Sequence, residues 1–500
     1  MSFAILQSRA QLGTDAPPVT IEVFLSGGLP SFSVVGMAET AVRESKDRVR
    51  SALLGSDFKF PQERITVSLG PADMRKMGGR FDLAIALGIL AASKQIAVAA
   101  LRSIEFYGEL SLNGDLRRVP AILPAALKAH ACGRSMLVPA ANASEAALAK
   151  VEVRAAATLL EVTAHLNGVS EITPIVAMRP EVTRGIAPDL ADVRAQAQAK
   201  RALEIAAAGG HNLLFVGPPG TGKSMLARRL AGVLPTMTEA EALETAAIDS
   251  VLGLPLDLAR WRQRPFRSPH HTASPAALVG GGPGPQPGEI SRAHNGVLFL
   301  DELPEFNRNV LEVLREPLEA GVITIARAGA QADFPAAFQL IAAMNPCPCG
   351  YLGDPGANCG CSAERVATYR SKVSGPLLDR IDLHVEVTRP PKEALRADAP
   401  QAESSETVAK RVAGARDVQL QRSNVCNARL EGQALKSVCA VAGDALRLLE
   451  NATDKFHLSA RAYQRVQRVA RTIADLAKEE DIRPPHVAEA LSLRQLDRRY

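Results

Sequence analysis

Apolar positions in the first third of the chain follow two different spacings. Residues 19–25, 31–36 and 64–69 are short apolar runs typical of strands. Residues 38–53 instead carry apolar positions at helical spacing. Because strand and helix patterns interleave, residues 1–165 are predicted to form an α+β domain.

The pattern changes twice further along the chain. Residues 166–188 contain three prolines and little periodicity, which predicts a linker. A helix expected over 193–208 ends at a pair of glycines, and it opens a compact α/β block at 189–390. Residues 391–500 are mostly helical in pattern. The chain is therefore predicted to contain three structural units and one linker.

Composition narrows the class of protein. The chain has 500 residues, of which 47% are hydrophobic and 22% charged, and its mean hydropathy is near zero, as in soluble globular proteins. It has no apolar run of the roughly 18–20 residues that a bilayer span needs, and no secretion signal at the N-terminus. We therefore expect a cytoplasmic protein without a membrane partner. The net charge of +5 permits an anionic partner such as nucleic acid but does not require one.

The segment after the apolar run 213–216 has the pattern of a phosphate-binding loop. Its residues fit G-x-x-x-x-G-K-[ST] and are Gly217, Pro218, Pro219, Gly220, Thr221, Gly222, Lys223 and Ser224. Glycines let the backbone N–H groups turn towards phosphate, Lys223 would reach the β and γ oxygens, and Ser224 would ligate Mg²⁺. An apolar strand precedes the loop and an amphipathic helix follows it, as this site requires. ATP and Mg²⁺ are the predicted cofactors.

A second group of candidate residues follows the apolar run 297–300. This run predicts a buried parallel strand that places Asp301 and Glu302 at its carboxyl end, where open α/β sheets bind ligands. Asp301 would hold the Mg²⁺ shell, and Glu302 would polarise the attacking water. Without the upstream loop, the two acids would be equally typical of an acidic helix N-terminus.

Three further residues are candidates for roles in hydrolysis. Asn345 ends an apolar strand at 340–344, where its amide could orient the same water, or it could be a turn residue before proline. Arg380 lies at a boundary where a neighbouring subunit could use it to stabilise the transferring phosphoryl group, the alternative being a surface ion pair with Asp379 or Asp382. Arg461 is the candidate for the sensor-2 arginine. Rival candidates, or parts of a solvated helical face, are Arg465, Arg468 and Arg471.

Four of the seven cysteines fall within residues 347–361. They form two C-x-C pairs, and they are Cys347, Cys349, Cys359 and Cys361. Four thiolates suit tetrahedral Zn²⁺ in a structural site that leaves no open coordination position. The spacing is tighter than the usual C-x₂-C, so unliganded reduced cysteines or an oxidisable pair are the alternatives to a Zn²⁺ clip.

Two segments are candidates for contact with DNA. Residues 322–327 and 333–340 are predicted to form a β-hairpin, with Arg327 near its tip to grip phosphate. The second segment is an insert at 252–289, although a histidine pair is more often structural than phosphate-binding. Its candidate side chains are Arg264, Arg267, His270 and His271. Neither segment has the pattern of base-edge readout, so binding is expected to be independent of DNA sequence.

The order of these motifs resembles one group of proteins. Residues 266–272, 287–291, 301–306 and 374–380 are similar to segments of the ComM/YifB family of magnesium-chelatase-like AAA+ ATPases. The resemblance covers essentially the whole chain. It implies an α/β fold with an AAA+ P-loop ATPase domain, a C-terminal helical lid, and an N-terminal α+β domain like that of the Lon protease (ribosomal S5 domain 2-like). It also implies a bacterial, cytosolic protein of natural transformation that forms a hexameric ring and acts as a DNA helicase.

The resemblance to the Lon protease does not extend to its Ser–Lys dyad. Arg80 stands where the serine is expected, and arginine cannot act as the nucleophile. Residues 119–127, where the lysine should fall, contain none, and Lys128 comes too late. We therefore predict that the N-terminal domain shapes the ring or contacts DNA and has no peptidase activity.

Three classes of function compete on this sequence. An ATP-driven DNA motor for branched or heteroduplex DNA fits best. A protein-remodelling ATPase is the main alternative, but such rings usually grip polypeptide with an aromatic loop, and the predicted hairpin tip offers Ala, Gly and Gln. A metal chelatase is the third class, and the chain has no integrin-type metal-binding domain.

Overall fold

The first part of the computed structural model is a mixed sheet built from the predicted apolar runs. The described residues are 2–37, 39–175, 187–282, 285–327, 330–396 and 402–498. The strands here are β1 (Ser2–Arg9), β2 (Pro18–Ser26), β3 (Ser31–Val35), β4 (Arg64–Gly70), β5 (Ile104–Phe106), β6 (Glu109–Leu110), β7 (Leu116–Arg117), β8 (Ser135–Pro139) and β9 (Val153–Ala156). Seven form one sheet in the order β3-β4-β2-β1-β5-β8-β9. The three predicted strands correspond to β2, β3 and β4.

Helices cover this sheet. They are α1 (Thr40–Arg43), α2 (Ser45–Gly55), α3 (Asp82–Ala92), α4 (Ile122–Ala131), α5 (Ala143–Ala147) and α6 (Leu159–Leu166). Every residue of α3 is buried, because the helix packs on β1 and β2. The approach is close: a Cβ at Gly88 would lie 2.4 Å from Cγ2 of Val23. The central helix of the unit therefore depends on a glycine where it crosses β2.

The next part of the chain forms a second, parallel sheet. Its strands and hairpins are β10 (Leu213–Val216), β11 (Phe266–Arg267), β12 (Gly280–Gly281), β13 (Gln286–Pro287), β14 (Val297–Leu300), β15 (Val322–Arg327), β16 (Ala330–Pro335), β17 (Gln339–Met344) and β18 (Leu383–Glu386). Five of these strands pair in parallel in the order β11-β14-β17-β10-β18. The three central strands are wholly buried and apolar in pattern because helices cover both faces. Their carboxyl ends meet at one edge of the sheet.

Helices surround the second sheet and fill the C-terminal region. They are α7 (Ala197–Gly209), α8 (Lys223–Val233), α9 (Glu239–Val251), α10 (Pro275–Val279), α11 (Glu289–Arg292), α12 (Arg308–Glu312), α13 (Arg315–Ala320), α14 (Ala363–Ser371), α15 (Gly375–Leu378), α16 (Ser405–Ser423), α17 (Gly432–Val438), α18 (Gly443–Phe456), α19 (Ala460–Ala477) and α20 (Pro484–Ser492). Helices α16 and α19 pack on α7 and share its apolar core. The expected α/β fold, with a parallel ATPase sheet and a C-terminal helical region, is confirmed.

The two sheet units share a packed junction. Helix α4 lies against α9, and the backbone N–H of Ala121 donates to the carbonyl of Ser250 at 2.8 Å. The hydroxyl of Ser250 accepts from the N–H of Leu123 at 3.2 Å. Apolar side chains of both units belong to one cluster. About half of the linker predicted at 166–188 lies outside the described residues, since these omit 176–186.

The predicted hairpin is present with a different second strand. Strand β15 pairs antiparallel with β16, from Val322 opposite Pro335 to Arg327 opposite Ala330. The predicted second arm, 333–340, is instead split between β16 and β17. Because residues 339–344 are buried and apolar, they pair in the large sheet. Residues 328–329, between these two strands, lie outside the described residues.

Candidate active site

The phosphate loop joins β10 to α8 at the carboxyl edge of the parallel sheet. Gly220 and Gly222 have φ values of +74° and +91°, which glycine adopts without steric cost. The side chain of Lys223 is almost fully buried. Its Nζ donates to the carbonyls of Gly217 at 2.7 Å and Pro218 at 2.9 Å. Burial lowers the pKa of this lysine, and the nearby Asp301 and Glu302 oppose that shift.

Asn345 and Lys223 meet although they are far apart in sequence. Strand β17 lies between β10 and β14, and Asn345 follows its carboxyl end. The Nζ of Lys223 donates to Oδ1 of Asn345 at 3.1 Å. The predicted polar residue at the end of this strand therefore lies at the phosphate loop.

Ser224 and Asp301 provide two oxygen ligands at the same place. The hydroxyl of Ser224 donates to Oδ2 of Asp301 at 2.5 Å, and Oδ1 of Asp301 accepts from the N–H of Glu302 at 3.0 Å. Hydroxyl and carboxylate oxygens are ligands that Mg²⁺ prefers. The residues present therefore fit the ion that the sequence predicted.

Glu302 contacts His271, which belongs to the insert predicted at 252–289. The carboxylate is half exposed, and its Oε2 lies 3.3 Å from Nδ1 of His271. The ring of His271 stacks on that of His270 at 4.1 Å and meets Phe306 edge-on at 6.4 Å. Both histidines were predicted to contact DNA, which stays a prediction; His271 lies beside the candidate catalytic carboxylate, and His270 bonds Thr272.

The histidine pair reaches this place because β11 is the neighbour of β14. Residues after β11 therefore emerge beside Asp301 and Glu302. A strand of two residues is too short for a periodic signal. The useful sequence signal would have been a polar pair a few residues after a short apolar run.

The two arginines of the insert have carboxylate partners. Arg264 pairs with Glu241 at 3.1 Å and also donates to the carbonyl of Asn295 at 2.7 Å. Arg267 makes two bonds of 2.7 Å to Glu289. The predicted phosphate contacts of these arginines stay predictions, and both guanidinium groups have a carboxylate partner within the chain. Arg327 ends β15, and its side chain lies outside the described residues.

Arg380 and Arg461 meet at a single glutamate. The largely buried guanidinium of Arg380 lies 2.6 Å from Oε1 of Glu319, and it donates to the carbonyl of Pro376 at 2.6 Å. The exposed Arg461 approaches the same Oε1 at 3.7 Å. Among the described side chains, Arg380 does not form the alternative ion pair with Asp379 or Asp382. The rival arginines Arg465 and Arg471 have buried partners instead, Asp382 and Asp475.

These two arginines lie at the opposite edge of the sheet from the phosphate loop. Arg380 precedes β18, which runs parallel to β10, and its carbonyl accepts from Asn212, the residue before β10. The phosphate loop follows the other end of β10. A strand of four residues spans about 13 Å, so neither arginine lies at the phosphate loop of its own chain.

The four predicted cysteines converge on one point. The Sγ atom of Cys347 lies 3.4 Å from that of Cys349 and 3.7 Å from that of Cys359, and Cys349 and Cys359 are 3.5 Å apart. With Cys361, all four sulfur atoms lie within 4.8 Å of one another. Tetrahedral Zn²⁺ with Zn–S bonds of about 2.3 Å separates its sulfur atoms by about 3.8 Å. The cluster therefore has the size of a single-ion site.

Arg80 and Lys128 have partners within the N-terminal unit. The guanidinium of Arg80 is buried, donates to the carbonyl of Ala121 at 3.3 Å and lies over the ring of Tyr107 at 5.7 Å. Lys128 is half exposed and pairs with Asp15 at 2.9 Å. Both side chains thus have structural partners.

In the part of the chain that the structure describes, no helix combines the length and apolarity needed to cross a membrane.

Comparisons with known families cover most of the chain. The model described as magnesium chelatase, subunit ChlI, matches residues 189–395. The model for subunit ChlI of Mg-chelatase matches 21–142, and that for its C-terminal region matches 402–494. The three matches follow the same order as the two sheets and the C-terminal helices.

Several known proteins are similar to this chain. The competence protein ComM of Haemophilus influenzae is 49% identical over 503 residues, covering 100% of this chain and 98% of that protein. YifB of Salmonella typhimurium is 49% identical over 499 residues, with the same coverage. The magnesium-chelatase 38 kDa subunit of Cereibacter sphaeroides is 26% identical over 282 residues, covering 51% of this chain and 75% of that one.

Proposed function

Because the chain belongs to the ComM/YifB family of magnesium-chelatase-like AAA+ proteins, we propose that it is an ATP-dependent hexameric DNA motor. In this proposal it acts as a helicase or branch-migration translocase on incoming DNA during natural transformation. The observation that carries the proposal is the separation of two sets of residues at opposite edges of one sheet. The name of the Haemophilus relative supports the link to competence.

The groups at the carboxyl edge suit ATP hydrolysis. Lys223 would bind the β- and γ-phosphate oxygens, and Ser224 with Asp301 would hold Mg²⁺, which neutralises charge on the phosphates when bound. Glu302 would accept a proton from the attacking water, and Asn345 would orient that water. These assignments make each chain competent to bind ATP by itself.

The arginines at the other edge suit a neighbouring chain. In a ring, the amino edge of one subunit can face the phosphate loop of the next, so that Arg380 approaches the transferring phosphoryl group. Arg461 would act from the same face as the sensor-2 residue. Hydrolysis then depends on assembly, and ring formation becomes part of the catalytic mechanism.

The DNA contact in this proposal is the β15–β16 hairpin. A basic side chain at Arg327 would bind backbone phosphate without reading base sequence. The insert arginines are not part of this contact, because both are paired with carboxylates. Binding is expected to weaken as salt concentration rises, since it depends on phosphate contacts.

We also propose that the four cysteines hold structural Zn²⁺ and that the protein is cytoplasmic. All seven cysteines are free thiols, as expected in a reducing compartment. Four thiolate ligands fill the coordination shell of Zn²⁺, so the ion would support the structure without taking part in hydrolysis.

The test of this function is the rate of ATP hydrolysis with and without DNA. The proposal predicts strong stimulation by single- or double-stranded DNA, together with strand displacement on forked substrates. Glu302→Gln serves as the control, because it should bind ATP and fail to hydrolyse it. Stimulation by an unfolded polypeptide, with none by DNA, would favour a protein-remodelling ATPase instead.

A further inference from the structure

The cysteine cluster lies directly against the phosphate loop through one glycine. Gly350 has a φ of +85°, and a Cβ placed there would lie 2.6 Å from Cδ of Pro219 and 3.8 Å from Cγ of Asn345. Pro219 is the third residue of the phosphate loop. The backbone of the cysteine segment therefore contacts the ATP site with no room for a side chain between them.

The cysteine segment has no regular structure to hold it in this position. Residues 347–361 form neither helix nor strand. Two arginines contact it: Nε of Arg370 donates to the carbonyl of Pro346, just before the segment, at 3.2 Å, and Nε of Arg389 lies 2.9 Å from Oδ2 of Asp354 in its middle. The four thiols bring the two ends of the segment, 347–349 and 359–361, to one point.

We propose that the metal ion bound by the four cysteines controls the affinity of the chain for ATP. The ion closes the segment 347–361 and so presses Gly350 against Pro219. The same closure fixes the backbone next to Asn345, whose amide contacts Lys223. Loss of the ion releases this contact, and the phosphate loop is no longer held in the shape that binds phosphate.

This inference rests on the proposed Zn²⁺ and ATP sites and not on the DNA activity. Its readouts are therefore metal content and nucleotide affinity of the full-length protein without DNA. A chain that failed to respond to DNA could still pass this test. Conversely, a DNA motor whose affinity for ATP did not depend on the metal would contradict only the proposed coupling between metal binding and ATP affinity.

The first experiment removes a ligand. Cys361→Ser is compared with Cys132→Ser, which changes an exposed thiol outside the cluster. Metal content is measured by elemental analysis and affinity by titration with a fluorescent ATP analogue. We expect about one zinc per chain in the wild type and the control, little in Cys361→Ser, and a Kd raised about tenfold, equivalent to about 1.4 kcal/mol. A wild type without zinc or any other metal would overturn the proposal.

The second experiment breaks the contact and keeps the cysteines. Gly350→Ala adds a Cβ that would meet Pro219, whereas Gly353→Ala adds one at a similar φ of +77° with nothing within 4 Å. Both variants carry the same kind of backbone strain, so the difference between them reports the contact. We expect both to keep zinc, and Gly350→Ala alone to lose affinity for the ATP analogue.

Two results would contradict the coupling. One is a zinc-free Cys361→Ser protein that binds the analogue as tightly as the wild type. The other is equal affinity in Gly350→Ala and Gly353→Ala. The glycine pair keeps the proposal falsifiable even if the cysteine variant fails to fold.

Discussion

Glu302 occupies an unusual backbone conformation in the candidate active site. Its φ of +54° and ψ of +47° lie in the left-handed region, which costs a non-glycine residue on the order of 1–3 kcal/mol. Such strain persists where neighbouring contacts enforce it. Here Nδ1 of His271 lies 3.3 Å from the carboxylate, and Asp301 accepts from the backbone N–H. The carboxylate is thus positioned by a residue that the P-loop motif does not include.

We expect His271→Ala to change hydrolysis and leave ATP binding intact. Without the imidazole, the Glu302 carboxylate can contact the attacking water even when DNA is absent. Basal ATPase activity should therefore rise several-fold, and its stimulation by DNA should become smaller. His270→Ala is the matched control, because that ring bonds Thr272 instead. Basal activity and nucleotide affinity are measured together. A fall to the level of Glu302→Gln would mean that His271 supports catalysis and does not restrain it.

At the scale of the element, apolar pattern predicted the strands well and the irregular connections poorly. The central strands are continuous apolar runs, so their position and the residues at their ends followed directly. The helix expected from residue 193 begins at Ala197 instead, because Gln196 adopts a left-handed φ of +59°. It ends as predicted, since Gly210 has the left-handed conformation that stops helices. Strand β11 and the histidines after it carried no periodic signal.

One buried carboxylate joins two strands of the second sheet to a C-terminal helix. Asp382, just before β18, pairs with Arg465 of α19 at 2.5 Å and accepts from the N–H of Asn212 at 2.8 Å. Burial alone would raise its pKa, but Arg465 and His211 hold the pKa of Asp382 far below its ordinary value of 3.8. The ionised form therefore ties the helical region to the sheet.

Asp382→Asn should destabilise the fold by about 3 kcal/mol, because it leaves the largely buried Arg465 without its counter-charge. Since the folded pKa is lowered, the stabilisation is complete above the ordinary pKa of 3.8 and is lost as the pH falls below it. Urea unfolding at pH 7 and at lower pH measures this. The difference between wild type and variant should shrink with acidification. Asp379→Asn, outside the network, is the control, and an equal loss in both variants would argue against the assignment.

At the scale of the whole molecule, the fold separates the residues proposed to bind ATP from the arginine proposed to complete hydrolysis. Lys223, Ser224, Asp301 and Glu302 lie at one edge of the sheet, and Arg380 lies at the other. The motifs identified both sets from sequence alone. Their placement at opposite edges could not be read from the motifs, because it depends on the order of strands in the sheet. Because of this placement, we propose that ATP hydrolysis is a property of the ring and not of a single chain.

Mixing two inactive variants tests the shared site most directly. Arg380→Ala keeps Glu302, and Glu302→Gln keeps Arg380, so a junction between them can contain one complete site. Each variant alone should bind ATP and hydrolyse it at a small fraction of the wild-type rate. The ATPase rate is measured across mixing ratios after subunits have exchanged. We predict that activity returns in the mixtures and is greatest at intermediate ratios. Activity that stays at the level of the separate variants at every ratio, in rings shown to contain both chains, would contradict a site completed by the neighbouring subunit.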